Sequence, residues 1–132
     1  MKLVRQQHDW DCGVACVSMI VGQPYEVVLP ICLAAKNGER VKGMITRHVV
    51  TAVRALGGLI ADPPLRPLRG ESWDGLPPSL VKVKHPGSTT SGWHWVIWDS
   101  ARQKVLDPAL LGDIKPAKYR MVPRSFLTIA VP

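Results

Sequence analysis

Apolar residues fill almost every position from Val14 to Val21, after a polar run that ends at Asp11. Val14, Val17 and Ile20 fall on one helical face with Cys16 and Met19 beside it, and Gly22 with Pro24 beyond supplies a stop. Asp is a preferred N-cap, so the pattern predicts a helix from Cys12 to about Val21 capped by Asp11. Tyr25 to about Ala35 carries a second helical pattern, which Pro30 is expected to break or kink. Asn37-Gly38 closes it. Val49, Val50, Val53 and Leu56 mark a third helix, with Thr46 as N-cap and Gly57-Gly58 as exit.

The pattern then changes period. Asp62 to Pro78 is rich in Pro and Gly and reads as an irregular connection bordering whatever groove exists. Ser79 to Lys84 alternates apolar and basic residues, as a half-buried strand does. A polar loop is expected from His85 to Gly92. Strands follow over Trp93–Asp99 and Gln103–Asp107, with loop from Pro108 to Pro116 and a closing strand over Ser125–Val131. N-terminal helices packed on a C-terminal antiparallel sheet make the fold class α+β.

The chain has 132 residues, which suits one domain (1–132) with one substantial core. Composition narrows the class further: 46% hydrophobic and 20% charged residues is globular rather than disordered. No apolar run reaches the roughly 18 residues of a membrane span, and Met1-Lys2-Leu3-Val4-Arg5 turns polar too soon for a signal peptide. Three cysteines, two of them one helical turn apart, argue against a disulfide framework and for a reducing, cytoplasmic setting. The net charge of +7 suggests nucleic acid at first sight. The basic residues form no run, however, and the tryptophans lie in apolar strand contexts, so no nucleic-acid partner is expected. The charge favours an acidic partner instead.

Candidate chemistry gathers around Cys12. At the first turn of a helix, unpaired N–H groups and the positive dipole end favour a thiolate over a thiol. Cys16 and Cys32 read as small buried core residues. If the turn between the two C-terminal strands is centred between Ser100 and Ala101, Asp99 faces Arg102 and His94 faces Asp107 on one sheet face. A carboxylate so placed orients the ring and stabilises its charged form. Cys12 as nucleophile, His94 as base and Asp107 as orienting acid complete a Cys-His-Asp set. Gln6 and Gln7 both have the reach to donate an amide to an oxyanion beside the Cys12 N–H. Cys12 and Cys16 with His8 or His94 lack a second cysteine pair or paired-histidine motif, so neither metal nor cofactor is expected.

The ordered set of segments resembles the papain-like peptidases that cut bacteriocin and peptide leaders after a double glycine. The likeness rests on Gln6 six residues before Cys12, on Asp11-Cys12-Gly13-Val14-Ala15-Cys16 and on Met19-Ile20. It continues through the Thr46–Gly57 helix, Leu76-Pro77, His94-Trp95-Val96-Ile97 and Val105-Leu106-Asp107-Pro108-Ala109. It implies a papain-like fold, a thiol peptidase acting on a peptide or protein substrate, the triad Cys12, His94 and Asp107, and Gln6 rather than Gln7 as oxyanion donor. The peptide exporter usually fused to such domains would here be a separate partner. The chain departs from the family at Gly92-Trp93-His94-Trp95 and over Ala61–Trp73, where leader recognition would differ. Gly57-Gly58 resembles the cleaved dipeptide but reads as a helix C-cap. Other outcomes for the same residues are amide or isopeptide hydrolysis, acyl transfer, or a non-catalytic peptide-binding domain.

Overall fold

A helix that is apolar on every side has to be buried on every side, and α1 (Cys12–Val21) is buried from Cys12 through Ile20. A computed structural model describes residues 1–87 and 93–130 of the chain. Two further helices, α2 (Tyr25–Ala35) and α3 (Thr46–Ala55), pack with α1 and with each other. Five strands follow: β1 (Arg66–Pro67), β2 (Ser79–Lys84), β3 (His94–Asp99), β4 (Lys104–Leu106) and β5 (Val122–Thr128). They form one antiparallel sheet in the order β1-β5-β2-β3-β4, so the class is α+β. Among the described residues no single helix is long and apolar enough to cross a membrane.

The uninterrupted run Trp95-Val96-Ile97-Trp98 is explained by the two layers that cover β3. Trp95 and Ile97 join α1, Leu80, Leu106 and Leu127 in the core under the helices. Val96 and Trp98 join Val81, Val83, Val105, Trp73 and Leu76 on the opposite face. Both indoles find acceptors, Trp95 Nε1 at the Met44 carbonyl (2.7 Å) and Trp98 Nε1 at the Leu76 carbonyl (2.9 Å). α1 packs directly on β3.

Several local expectations are corrected. Pro30 does not break α2, which runs unbroken from Tyr25 to Ala35. Pro30 and Glu26 are both exposed, so the carbonyl of Glu26 that loses its partner can be hydrated. Ile45, not Thr46, is the N-cap of α3, because its N–H donates to Nδ1 of His48 at 3.2 Å, closing the first turn. The exit of α3 is as expected: Gly57 has φ +79°, with bonds from Gly57 N to Arg54 O and Gly58 N to Val53 O. The closing strand begins three residues early, at Val122, and ends at Thr128. Pro123 is accommodated because the pairing with β2 shifts between Lys82 and Val83, leaving Arg124 as the extra residue of a bulge. The connection before β2 is not wholly irregular, since β1 pairs with β5 as a short edge. Residues 88–92 of the expected polar loop and residue 131 of the closing strand lie outside the described residues.

Candidate active site

Asp11 ends the loop that leads into α1, but its carboxylate does not cap the helix. It turns back instead and accepts from the N–H of Gln7 (3.2 Å) and His8 (2.9 Å) and from the hydroxyl of Tyr25 (2.5 Å). His8 Nδ1 lies 3.1 Å from the same carboxylate. Burial would raise the pKa of Asp11, yet the bonds from Tyr25, His8 and Gln7 outweigh it and hold the group below its ordinary value. The expectation of a side-chain cap is therefore wrong. Its failure has a chemical consequence, because the first-turn N–H groups of α1 are left without the Asp11 side chain as acceptor.

Cys12 opens α1 and is 7% exposed, whereas Cys16 and Cys32 are fully buried. All three are free thiols. Burial, reinforced by the neighbouring Cys12 and Asp107, pushes the Cys16 thiol well up, and burial pushes Cys32 up to about 12. Neither is poised to ionise near neutrality.

His94 is the first residue of β3, and its Nε2 lies 2.6 Å from Asp107 Oδ1. The register that brings them together is not the one anticipated. Ile97 pairs with Leu106, Trp98 with Val105 and Asp99 with Lys104, so the turn is centred between Ala101 and Arg102. The turn is longer because Gln103 adopts φ +55° and Asp99 accepts from both the N–H (3.2 Å) and Nε (2.8 Å) of Arg102. His94 therefore does not stand directly opposite Asp107. Because side chains alternate with period two, a shift of two keeps both on one face as diagonal neighbours, within reach of long side chains.

Asp107 is buried and fully engaged. Oδ1 also accepts from the N–H of Ala109 at 2.9 Å, and Oδ2 accepts from the Tyr119 hydroxyl at 2.6 Å. Burial would raise its pKa, but the bond from His94, aided by Tyr119 and Ala109, holds it below the ordinary value. For His94, burial opposes the charged ring. Hydrogen bonding to Asp107 and then to Cys12 outweighs that penalty and pushes the pKa up to about 10. With Nε2 committed to Asp107, Nδ1 is the nitrogen left for Cys12. The elements thus bring Cys12, His94 and Asp107 together.

Gln6 lines the same cavity as His94 and Asp107, a space of about 560 Å³ walled also by Leu110, Ile114, Tyr119 and Met121. Its backbone N–H donates to Pro108 O (2.9 Å) and its Nε2 to His8 O (2.8 Å). Its Oε1 is buried with no partner among the described residues. The Nε2 group uses one of its two hydrogens in the bond to His8 O. The connection over Asp62–Pro78 does not border this cavity. Its Leu65–Glu71 portion lines a separate space of about 580 Å³ with Trp93 and Arg124, where no cysteine or histidine is found. Among the described residues no group of three or more His, Cys, Asp or Glu side chains is placed to hold a metal ion.

Sequence pattern does not mark Tyr119. It sits between Lys118 and Arg120 in a segment without apolar periodicity, and reaches Asp107 only because the Pro116–Lys118 turn aims it inward. Comparison with protein-family models, with curated proteins and with solved structures finds no match to this chain.

Proposed function

We propose that this chain is a papain-like cysteine peptidase that hydrolyses a peptide or protein substrate, with Cys12 as nucleophile, His94 as acid and base, and Asp107 as the group that orients His94. The observation that carries the reading is one imidazole held by Asp107 at 2.6 Å and near enough to Cys12, at the start of a helix, for the thiol to favour its charged form. His94 carries its proton through the neutral range, and an imidazolium stabilises a thiolate beside it. The sulfur attacks the scissile carbonyl and a C–S bond forms. Charge on the carbonyl oxygen meets the uncapped N–H groups of α1 and the remaining amide hydrogen of Gln6. His94 gives its proton to the departing nitrogen as the C–N bond breaks. Water then attacks the thioester, His94 takes the water's proton, and Cys12 is released.

The resemblance to double-glycine leader peptidases points to small residues before the cut, and the basic surface points to an acidic peptide. Intact-protein mass after treatment with an electrophilic peptide ending in Gly-Gly tests the reading. The expected result is one adduct on Cys12, lost in Cys12→Ala, with Cys16 and Cys32 unmodified. Labelling that falls first on Cys16 or Cys32 would overturn the assignment of the nucleophile. An adduct without turnover of any peptide, but with transfer to an added amine, would favour acyl transfer. Tight binding of peptide by both wild type and Cys12→Ala with no adduct would favour a binding domain.

A further inference from the structure

Asp107 accepts three hydrogen bonds, and one comes from a side chain outside the Cys-His-Asp set. We propose that Tyr119 is a positioning residue for His94: its phenol fixes the Asp107 carboxylate, shares its charge, and so sets how firmly Asp107 holds the His94 proton. The effect on turnover rests on the peptidase reading, whereas the effect on the imidazole does not.

The geometry supports this from three directions. The Asp107 side chain is only 4% exposed, so water does not reach Oδ2 as it would on a surface, and the phenol is its one partner among the described residues. The phenol is itself held. Tyr119 N donates to Pro116 O at 3.1 Å, and the ring meets Trp73 edge-on at 6.0 Å, with Trp73 tilted against Trp98 at 5.2 Å. A residue needed only to fill that space would be phenylalanine, since a buried hydroxyl costs stability unless it is bonded. Finally, both the burial of Tyr119 and the adjacent Asp107 charge keep the phenol protonated, so it acts as a donor throughout the working range.

The consequence follows from competition for one carboxylate. Charge drawn toward Oδ2 by the phenol is not concentrated at Oδ1, where His94 bonds. Removing the phenol leaves Oδ2 buried and unpaired and strengthens the hold of Oδ1 on the His94 proton. The imidazolium then becomes a poorer acid toward the departing nitrogen, and the carboxylate loses one of the contacts that fix its plane.

The test is nitrogen NMR of the His94 ring through a pH titration of the full chain, comparing wild type with Tyr119→Phe, beside kcat and KM on a cleaved peptide. The expected result is a His94 midpoint raised by about half a unit to one unit. kcat should fall about tenfold with KM little changed, and the pH profile should move with the midpoint. An unmoved His94 midpoint would overturn the proposal, even if Tyr119→Phe loses stability. If that variant does not fold, 3-fluorotyrosine placed at position 119 keeps the volume and makes a stronger donor. It should lower the midpoint, and no shift would overturn the proposal equally. A shifted midpoint in a chain that turns over no peptide would uphold the positioning role and remove the peptidase reading.

Discussion

Two clusters of the same composition, each a tyrosine, a carboxylate and a histidine, flank Cys12. In one, Asp11 joins the Tyr25 hydroxyl (2.5 Å) to His8 Nδ1 (3.1 Å). In the other, Asp107 joins the Tyr119 hydroxyl (2.6 Å) to His94 Nε2 (2.6 Å). Both carboxylates are buried and held below their ordinary pKa. The histidines differ. The His8 side chain is 54% exposed and stacks on Trp10 at 5.4 Å, whereas that of His94 is 17% exposed and has its charged form favoured by Cys12 as well as Asp107. Residue type alone therefore does not make a reactive centre. An exposed ring beside a carboxylate helps to hold a loop, while a sequestered ring between a carboxylate and a thiol is equipped to move a proton.

The largest test of that contrast is to remove each ring. His94→Ala should lower peptide turnover by about 10²–10⁴-fold, the usual worth of a positioned acid and base. His8→Ala should change it by less than about threefold, because its imidazole touches no reacting group. Comparable losses in steady-state assays of the two variants would erase the distinction.

The two carboxylates should separate in the opposite sense. Asp11→Asn is expected to cost about 2–3 kcal/mol in urea unfolding. Its amide can accept at one oxygen only, and its NH₂ would face a donor among Gln7, His8 and Tyr25. Asp107→Asn should show its main effect in turnover, through the tautomer and charge of His94. A variant at Asp11 that unfolds like wild type would show that the first cluster does not anchor the loop.

The contrast can also be sharpened through the pH dependence of stability. His94, raised to about 10, contributes stability that is complete below its ordinary 6.5 and is lost as pH rises toward its folded value. The depressed Asp11 and Asp107 contribute above their ordinary 3.8 and lose that contribution as pH falls through their folded values. Buried Cys16 and Cys32 add a further decline only above about 9, since their thiols stay protonated in the fold. The stretch from about 6.5 to 9 therefore reports His94. Denaturant midpoints should fall with pH across it in wild type and flatten in His94→Ala; parallel slopes would show that the imidazole is not held in its charged form.

α3 was legible because its burial is written in periodicity at Val49, Val50 and Val53, and α1 because almost its whole length is apolar and buried. The class of the fold and the juxtaposition of His94 with Asp107 followed from period and parity. Parity tolerated an error of two in the register, but the turn itself did not announce that Gln103 would take a left-handed conformation. Pro30 inside α2 and Pro123 inside β5 share one lesson. Each is unfavourable in isolation, and each is rescued by context, solvent at Glu26 in the first case and a bulge at Arg124 in the second. Asp11 and Tyr119 show what pattern does not carry. A carboxylate chooses among all donors that the folded chain brings near it, and a tyrosine in a loop finds its partner only in three dimensions.

Met44 touches both α1 and β3. Its side chain lies against Gly13, where an added Cβ would stand 3.0 Å from both Met44 Cβ and Sδ, and its carbonyl holds the indole of Trp95. Gly13 follows Cys12 and Trp95 follows His94, so Met44 packs against the chain neighbours of both residues. A side chain at position 13 would press on Met44, which would have to yield by a few tenths of an ångström and carry the indole of Trp95 with it or let it go.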